Sequence, residues 1–337
     1  MINVTKDSKI YMVCPSFNKT GGTELAHQLV YQLLENKLNA FIVYYTENNE
    51  KPEINPAFKK YVNNFLILEE IEDDPSNILI VPEIKPDVLK QFNKLQKVIW
   101  WMSVDNFEKR NGFKGACKFY GFFNAIKYII KGNIQLRAFN INKSVNHFYQ
   151  SEYAKQYLLK KNYTNIYKLS DYLNSSYFTN NEDKHIDKKN NILYNPKKGF
   201  DFTKKIIEKS PDLHWIPIQN MTTEQVKNLL NESKVYIDFG NHPGKDRFPR
   251  EAAISGCCVI TGKRGSAKYF QDIPIPEKYK FNDSIKNIDS IIKQIKQCLN
   301  NYDDCISDFE EYKKKISNEY SSFIDDINKI FQQGDEK

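Results

Sequence analysis

No run of apolar residues in the chain approaches the ~20 that a membrane-spanning helix needs. The N-terminal segment MINVTKDSKI is polar and lacks the apolar core of a secretory signal. A spanning or exported protein is therefore not expected, and the cytoplasm is the expected location. The six cysteines (Cys14, Cys117, Cys257, Cys258, Cys298 and Cys305) include no CxxC pair. Cys14, Cys257 and Cys258 sit in apolar, strand-like runs, where a thiol acts as a small hydrophobe. Neither a disulfide framework nor a redox motif is expected. The five histidines are scattered without HExxH or another ligand spacing, so no protein-bound metal is expected. The GxGxxG fingerprint is absent, which argues against a dehydrogenase. No nucleic-acid-binding motif is found, and no such partner is expected.

What is present points to an α/β protein. The 337 residues suggest two domains at ~150 residues each. The net charge of +7, from 49 Lys+Arg against 42 Asp+Glu, is spread along the chain. It suits an anionic small molecule, an acidic glycan or an anionic membrane face. Apolar strand-like runs at 10–15, 40–45, 78–83 and 98–104 alternate with helical patterns at 23–36 and 86–95. A strand end at 147–150 enters a helix at Ser151. A polar stretch (173–191) follows, and the rhythm resumes with strands at 191–194, 213–219, 235–239 and 257–261 and helices at 202–210 and 222–233. Strands alternating with helices predict parallel sheets. The expected division is 1–175, a linker at 176–190, 191–318, and a C-terminal helix and tail at 319–337.

The most informative stretch is HPGKDRFPREAAISGCCVITGKRGSA (242–267). The run VYIDF feeds a loop with Gly240, Pro243 and Gly244 that carries Lys245, Asp246, Arg247 and Arg250. A helix is predicted to start near Pro249 with Glu251 in its first turn. After the next strand, GKRGSA is predicted to open another helix. Helix N-termini favour anions, and α/β sheets bind ligands beyond the carboxyl ends of their strands. A phosphate or diphosphate is the expected ligand. Glu251 also suits the helix dipole alone, for about 0.3–1 kcal/mol, and Asp246 also suits a cap.

The segment Glu251-Ala252-Ala253-Ile254-Ser255-Gly256-Cys257-Cys258-Val259-Ile260 resembles the E-(A/G)-x-A-x-G-x-P-V-I element of GT-B glycosyltransferases, most closely the retaining family-four group. Ser151-Glu152-Tyr153-Ala154 and Lys198-Gly199 resemble two further elements of that group. The family carries a second Glu eight positions before the first, and Pro243 stands there. It often has an Arg ahead of the Lys, where Asn195 and Pro196 stand. The resemblance is specific over 191–272.

It implies two Rossmann-like domains facing a central cleft, with the last helix crossing back to the first domain. It also implies transfer of a sugar from a nucleotide sugar to a glycan or lipid-linked glycan, as in bacterial surface-polysaccharide assembly. Glu251 would hold ribose. Lys198, Arg247, Arg250 and the Gly265-Ser266 amides would hold phosphate, with Asn195, His242 and Lys245 beside them. Gly21, Gly22 and Glu24 would meet the substrates from the first domain. An inverting enzyme needs a carboxylate base, for which Asp105, at the end of the strand 98–104, Glu83 and Glu24 are the candidates read from the sequence, whereas a retaining enzyme can leave the proton to the departing phosphate; Arg247 and Glu251 complete the expected catalytic set. No metal and no cofactor beyond the donor are expected, since the Asp-x-Asp pair of metal-using transferases is missing. His27 is expected at the surface.

The basic, aromatic segment 107–139 suits either the core of the first domain or contact with the inner, anionic face of the membrane. A nucleotide-sugar 2-epimerase of the same fold and a non-enzymatic two-domain sugar-binding protein are the competing functional readings.

Overall fold

The structure is a computed structural model that describes residues 2–46, 51–132, 134, 136–178 and 187–332. Of the expected linker at 176–190, residues 179–186 lie outside the described set, as do 333–337 of the tail. The chain divides into two compact units. One comprises Met1–Gln150, Ala154–Asp171 and Ser322–Lys337; the other comprises Ser151–Tyr153 and Tyr172–Ser321.

The N-terminal unit is built on a seven-stranded parallel sheet. Its strands are β1 (Lys9–Pro15), β2 (Asn39–Tyr45), β3 (Leu66–Ile67), β4 (Ile78–Pro82), β5 (Gln96–Trp101), β6 (Asn146–Tyr149) and β7 (Ile166–Lys168), in the order β3-β2-β1-β4-β5-β6-β7. Parallel strands covered on both faces read as continuous apolar runs rather than as alternation. Every residue of ILIVP in β4 is buried, as are Trp100 and Trp101 in β5. The two indoles keep partners despite burial: Trp100 donates to the Leu169 carbonyl at 3.0 Å and Trp101 to His147 Nδ1 at 2.9 Å.

Helix α1 (Gly21–Glu35) follows β1 and is opened by a capping box between Thr20 and Thr23. Helices α2 (Val104–Arg110), α3 (Phe113–Tyr120) and α4 (Phe122–Ile130) follow β5, and α5 (Glu152–Lys160) follows β6. Two expectations fail here. Pro86–Gln91 forms a 3-10 turn rather than an α-helix through 95. The Asp73 carboxylate takes the amides of Asn93, Lys94 and Leu95, which ends the helical hydrogen bonding. His27 is buried, not exposed: Nδ1 lies 2.7 Å from the Thr23 carbonyl, Nε2 lies 2.6 Å from the Tyr44 hydroxyl, and the ring stacks on Phe58.

The C-terminal unit holds a four-stranded parallel sheet of β8 (Lys189–Tyr194), β9 (His214–Pro217), β10 (Ser233–Asp238) and β11 (Cys258–Thr261), ordered β11-β10-β8-β9. Helices α6 (Phe200–Lys209), α7 (Thr223–Asn231), α8 (Arg247–Ile254), α9 (Ile288–Asn300), α10 (Tyr302–Ser307) and α11 (Glu310–Ser317) pack around it. As expected, Thr222 caps α7, in a box with Gln225 worth about 1 kcal/mol. Val235, Tyr236 and Ile237 of β10 are fully buried, each contributing roughly 1.5–3 kcal/mol.

The last helix, α12 (Glu319–Ile330), begins in the C-terminal unit and from Ser322 belongs to the N-terminal one. There Phe323 and Ile327 are fully buried, Asp326 accepts from the Ser170 amide at 3.2 Å, and Phe331 meets Phe148 edge-on. This is the expected crossing back.

Candidate active site

In the C-terminal unit the sheet's carboxyl edge gathers charge. Asp238 closes β10 and turns its carboxylate back on its own loop. Oδ1 accepts from the Gly240 amide at 2.9 Å, and Oδ2 accepts from the Tyr236 hydroxyl at 3.0 Å. Gly240 admits no side chain, because a Cβ would stand 2.6 Å from that of Lys198. His242 follows four residues after Asp238 and is completely buried. Its Nε2 lies 3.5 Å from Asp238 Oδ1 and its Nδ1 3.1 Å from Asp246 Oδ2. Neither ring nitrogen is aligned for a hydrogen bond, so the attraction is ionic. Burial works against a charged ring, but the two carboxylates outweigh it and push the His242 pKa up to about 10. In return, the imidazolium holds Asp238 below its ordinary value against the effect of burial. Lys198, from the turn after β8, reaches the same Asp246 oxygen at 2.7 Å.

Helix α8 starts at Arg247, not near Pro249. Proline is tolerated inside a first turn because those amides have no helical acceptor. Glu251 therefore lies in the second turn, 8% exposed, and the first turn holds no acid. Asp246 occupies the cap position, yet its carboxylate serves Lys198 and His242 instead of the helix amides.

Arg250 and Lys245, expected beside the ligand, are both buried in ion pairs. Arg250 is fully buried: Nη1 donates to Glu319 Oε2 at 2.8 Å, Nε to the Asp246 carbonyl and Nη2 to the Lys245 carbonyl. Lys245 pairs with the other Glu319 oxygen at 2.8 Å. Both cations brace the loop. GKRGSA forms a single 3-10 turn (Gly265–Lys268) rather than a helix. The Ser266 amide donates to the His242 carbonyl at 2.9 Å and its hydroxyl to the Gly244 carbonyl at 2.6 Å, so Ser266 also ties the loop together. Gly265 has a φ of +58°, and a Cβ there would stand 1.9 Å from the His242 carbonyl oxygen. Asn195 shapes the turn before Lys198 by accepting from the Lys197 amide. Arg247 is half-buried at the start of α8, and the exposed Arg264 pairs with Asp283.

Asp238 and Glu319 were missed from sequence. An acid closing an apolar strand, with His at +4 and Asp at +8, was a readable signal for the first. Nothing local announces Glu319.

Asp238, His242 and Asp246 offer ligand atoms within 4.8 Å of one another, a spacing a metal ion could use. Their charges are already matched by the imidazolium and by Lys198, so a cation would have to displace both. The set fits a protonated histidine better than a metal.

In the N-terminal unit, Gly21 and Gly22 form the first turn of α1, and Glu24 accepts from the Tyr61 hydroxyl at 3.1 Å. Strand β5 ends at Trp101, so Asp105 is not at a strand end. It lies buried in the first turn of α2, which Ser103 caps. Glu83, just past β4, lines a cavity of about 650 Å³ together with Lys85, Arg110, Asn111, Tyr120 and Tyr128. Its carboxylate accepts from the Met102 amide at 3.1 Å. Burial, only partly offset by backbone amides and Arg110, pushes its pKa up to about 8.

No protein-family model and no curated protein sequence matches the chain. Solved structures do. A variant of S. aureus TarM in complex with fondaparinux, α-GlcNAc-glycerol and UDP superposes with a TM-score of 0.66 at 13% identity, covering 97% of this chain and 100% of that one. Anabaena HepE in complex with UDP and glucose gives 0.62 at 9% identity, covering 96% and 98%. The lipopolysaccharide outer core galactosyltransferase WaaB gives 0.57 at 12% identity, covering 96% and 98%. At such identities the likeness speaks for architecture: with two parallel-sheet α/β domains and a final helix that returns to the first, this chain has the GT-B fold.

Proposed function

We propose that the chain is a glycosyltransferase that moves a sugar from a nucleotide-activated donor to a glycan or lipid-linked glycan acceptor, in the assembly of a surface polysaccharide. The observation that carries this reading is the cluster at the carboxyl edge of the second sheet. There Lys198, His242 and Arg247 surround a glycine-bearing loop, with Glu251 one turn into α8. Solved structures of this fold hold UDP.

In this reading Glu251 accepts from ribose hydroxyls, Lys198 and Arg247 face the diphosphate, and the buried His242 imidazolium fixes Asp238 and Asp246 behind them. Glycosyl transfer builds negative charge on the departing diphosphate. Cations already fixed in place stabilise that charge more in the transition state than in the ground state. This is how the site would work without a metal: the charge a divalent ion would supply comes from side chains. On the acceptor side, the candidate acid–base groups are Asp105 and Glu83. Glu83 lines a cavity walled by Tyr120 and Tyr128 and changes charge near neutral pH, as a proton acceptor for a sugar hydroxyl should.

The test is a panel of UDP-, GDP-, ADP-, TDP- and CMP-sugars incubated with the chain and mixed glycan acceptors, with free nucleotide and product masses read by mass spectrometry. One donor should be consumed in an acceptor-dependent way, with chelator present, and Glu251→Ala should abolish it. Nucleotide release with an epimerised sugar and no acceptor would point to an epimerase. Sugar binding with no turnover would point to a binding protein.

A further inference from the structure

Helix α4 leaves an apolar face uncovered. Phe122 is 57% exposed, Phe123 84%, Ile126 37% and Ile130 80%. At 3.6 residues per turn these four fall within an arc of about 100°. The inner arc is separate: Ala125 is fully buried, and Tyr128 and Ile129 pack with α3 around Ala116 and Ile134. Phe122 meets Phe113 of α3 edge-on at the margin of that core, and Phe123, Ile126 and Ile130 carry the apolar face outward from it. Leu136, just after it, is 65% exposed.

The charge around this face is predominantly positive. Segment 107–139 carries seven basic residues (Lys109, Arg110, Lys114, Lys118, Lys127, Lys131 and Arg137) and one acid, Glu108. Lys114, Lys127, Lys131 and Arg137 are exposed. Exposed aromatic and aliphatic side chains rimmed by lysines match a bilayer interface with anionic headgroups. A second copy of the chain fits less well, because a two-fold contact would bring the lysines of both copies together. Among the described residues no helix is long and apolar enough to cross a membrane, so the contact is one of lying on the surface.

We infer that the outer face of α3–α4 docks the protein on an anionic lipid surface. The same two helices supply Tyr120 and Tyr128 to the cavity beside Glu83, so docking sets that cavity at the headgroup layer. Resting on the transferase reading, this narrows the acceptor to a lipid-linked glycan.

The test is co-sedimentation of the full chain with phosphatidylcholine vesicles, with and without phosphatidylglycerol, and no nucleotide. The chain should pellet with the anionic vesicles and be released by high salt. Phe123→Ser with Ile130→Ser should weaken binding about tenfold or more. Lys114→Gln with Lys127→Gln and Lys131→Gln should weaken it by about a hundredfold. Both variants change exposed positions, so unchanged melting temperatures establish that they fold. No pelleting with anionic vesicles, or pelleting indifferent to both variants, overturns the inference. So does a concentration-dependent dimer, seen by sedimentation velocity, that the Phe123→Ser, Ile130→Ser variant dissolves. Because nucleotide is absent, a failure here leaves the donor-site reading standing, and a failure of that reading leaves vesicle binding intact.

Discussion

The imidazole of His242 stands 3.1 Å from the same Asp246 oxygen that Lys198 holds at 2.7 Å, with the Asp238 carboxylate at its other ring nitrogen. The ring is buried as a cation and its pKa is pushed up to about 10. An unfolded imidazole titrates near ~6.5. The raised folded value means that the stabilisation is complete below pH ~6.5 and is lost as pH rises through about 10. Lys280 acts in the opposite direction: burial lowers its pKa to about 8, so its penalty is relieved as pH rises. The wild type must therefore be compared with His242→Gln. The stability difference between them should shrink steadily from neutral pH to about pH 10, measured by urea unfolding. Parallel curves would contradict the charged pair.

Glu319 pairs with both Lys245 and Arg250, one carboxylate oxygen to each. Glu319→Gln would strand buried charge, at a cost of about 3–5 kcal/mol in urea unfolding. A loss under about 1 kcal/mol, the range of an exposed pair, would mean that the loop does not depend on this anchor.

Gly265 and Gly22 should respond in opposite ways to alanine. Gly265 has positive φ, and its Cβ would collide with the His242 carbonyl. Gly265→Ala should cost at least about 1–2 kcal/mol from the backbone alone. A Cβ at Gly22 would meet Met102 Sδ at 3.7 Å, an ordinary contact. Gly22→Ala should leave stability unchanged or raise it by roughly 0.4–1 kcal/mol. If this turn meets substrate closely, as the resemblance implies, Gly22→Ala will nonetheless lose turnover. A stable and fully active variant would remove the turn from the site.

Glu83 gives a second pH signature. Its folded pKa of about 8 lies above that of an unfolded carboxyl, so its favourable contribution is complete at acid pH and is lost as pH rises through about 8. Glu83→Gln should gain stability relative to wild type as pH rises from about 5 to about 8, and hold that gain above it, read by melting temperature. If Glu83 also accepts the acceptor's proton, the variant will lose turnover at every pH. A constant stability gap across that range would mean that the carboxyl is not held protonated.

The strands were legible because buried parallel strands are continuous apolar runs, and ILIV, VIWW and VYI leave little choice of element. Helix starts were less so. Pro249 reads as a first helical residue, yet the helix opens two residues earlier, which displaces Glu251 into the second turn. Pro86–Gln91 has a helical pattern that Asp73 cuts short from outside the segment. At the site, the loop and its Lys, His and Glu were readable from type and spacing. Which cations are buried was not. Arg250 and Arg247 look alike in sequence, yet Arg250 is buried on Glu319, 69 residues away. Long-range pairing of this kind leaves no local trace, and neither does the burial of His27 against Tyr44 and Phe58.

The most direct test of the donor site is a thermal-shift comparison of wild type and Glu251→Ala with UDP, GDP, ADP, TDP and CMP. A nucleotide at 100 times its Kd should stabilise the folded chain by about 2.7 kcal/mol. One nucleotide is predicted to raise the wild-type melting temperature and to leave Glu251→Ala unmoved. An equal shift in both proteins would move the nucleotide away from α8, and no shift with any of the five would contradict a nucleotide-sugar site at the edge of the second sheet.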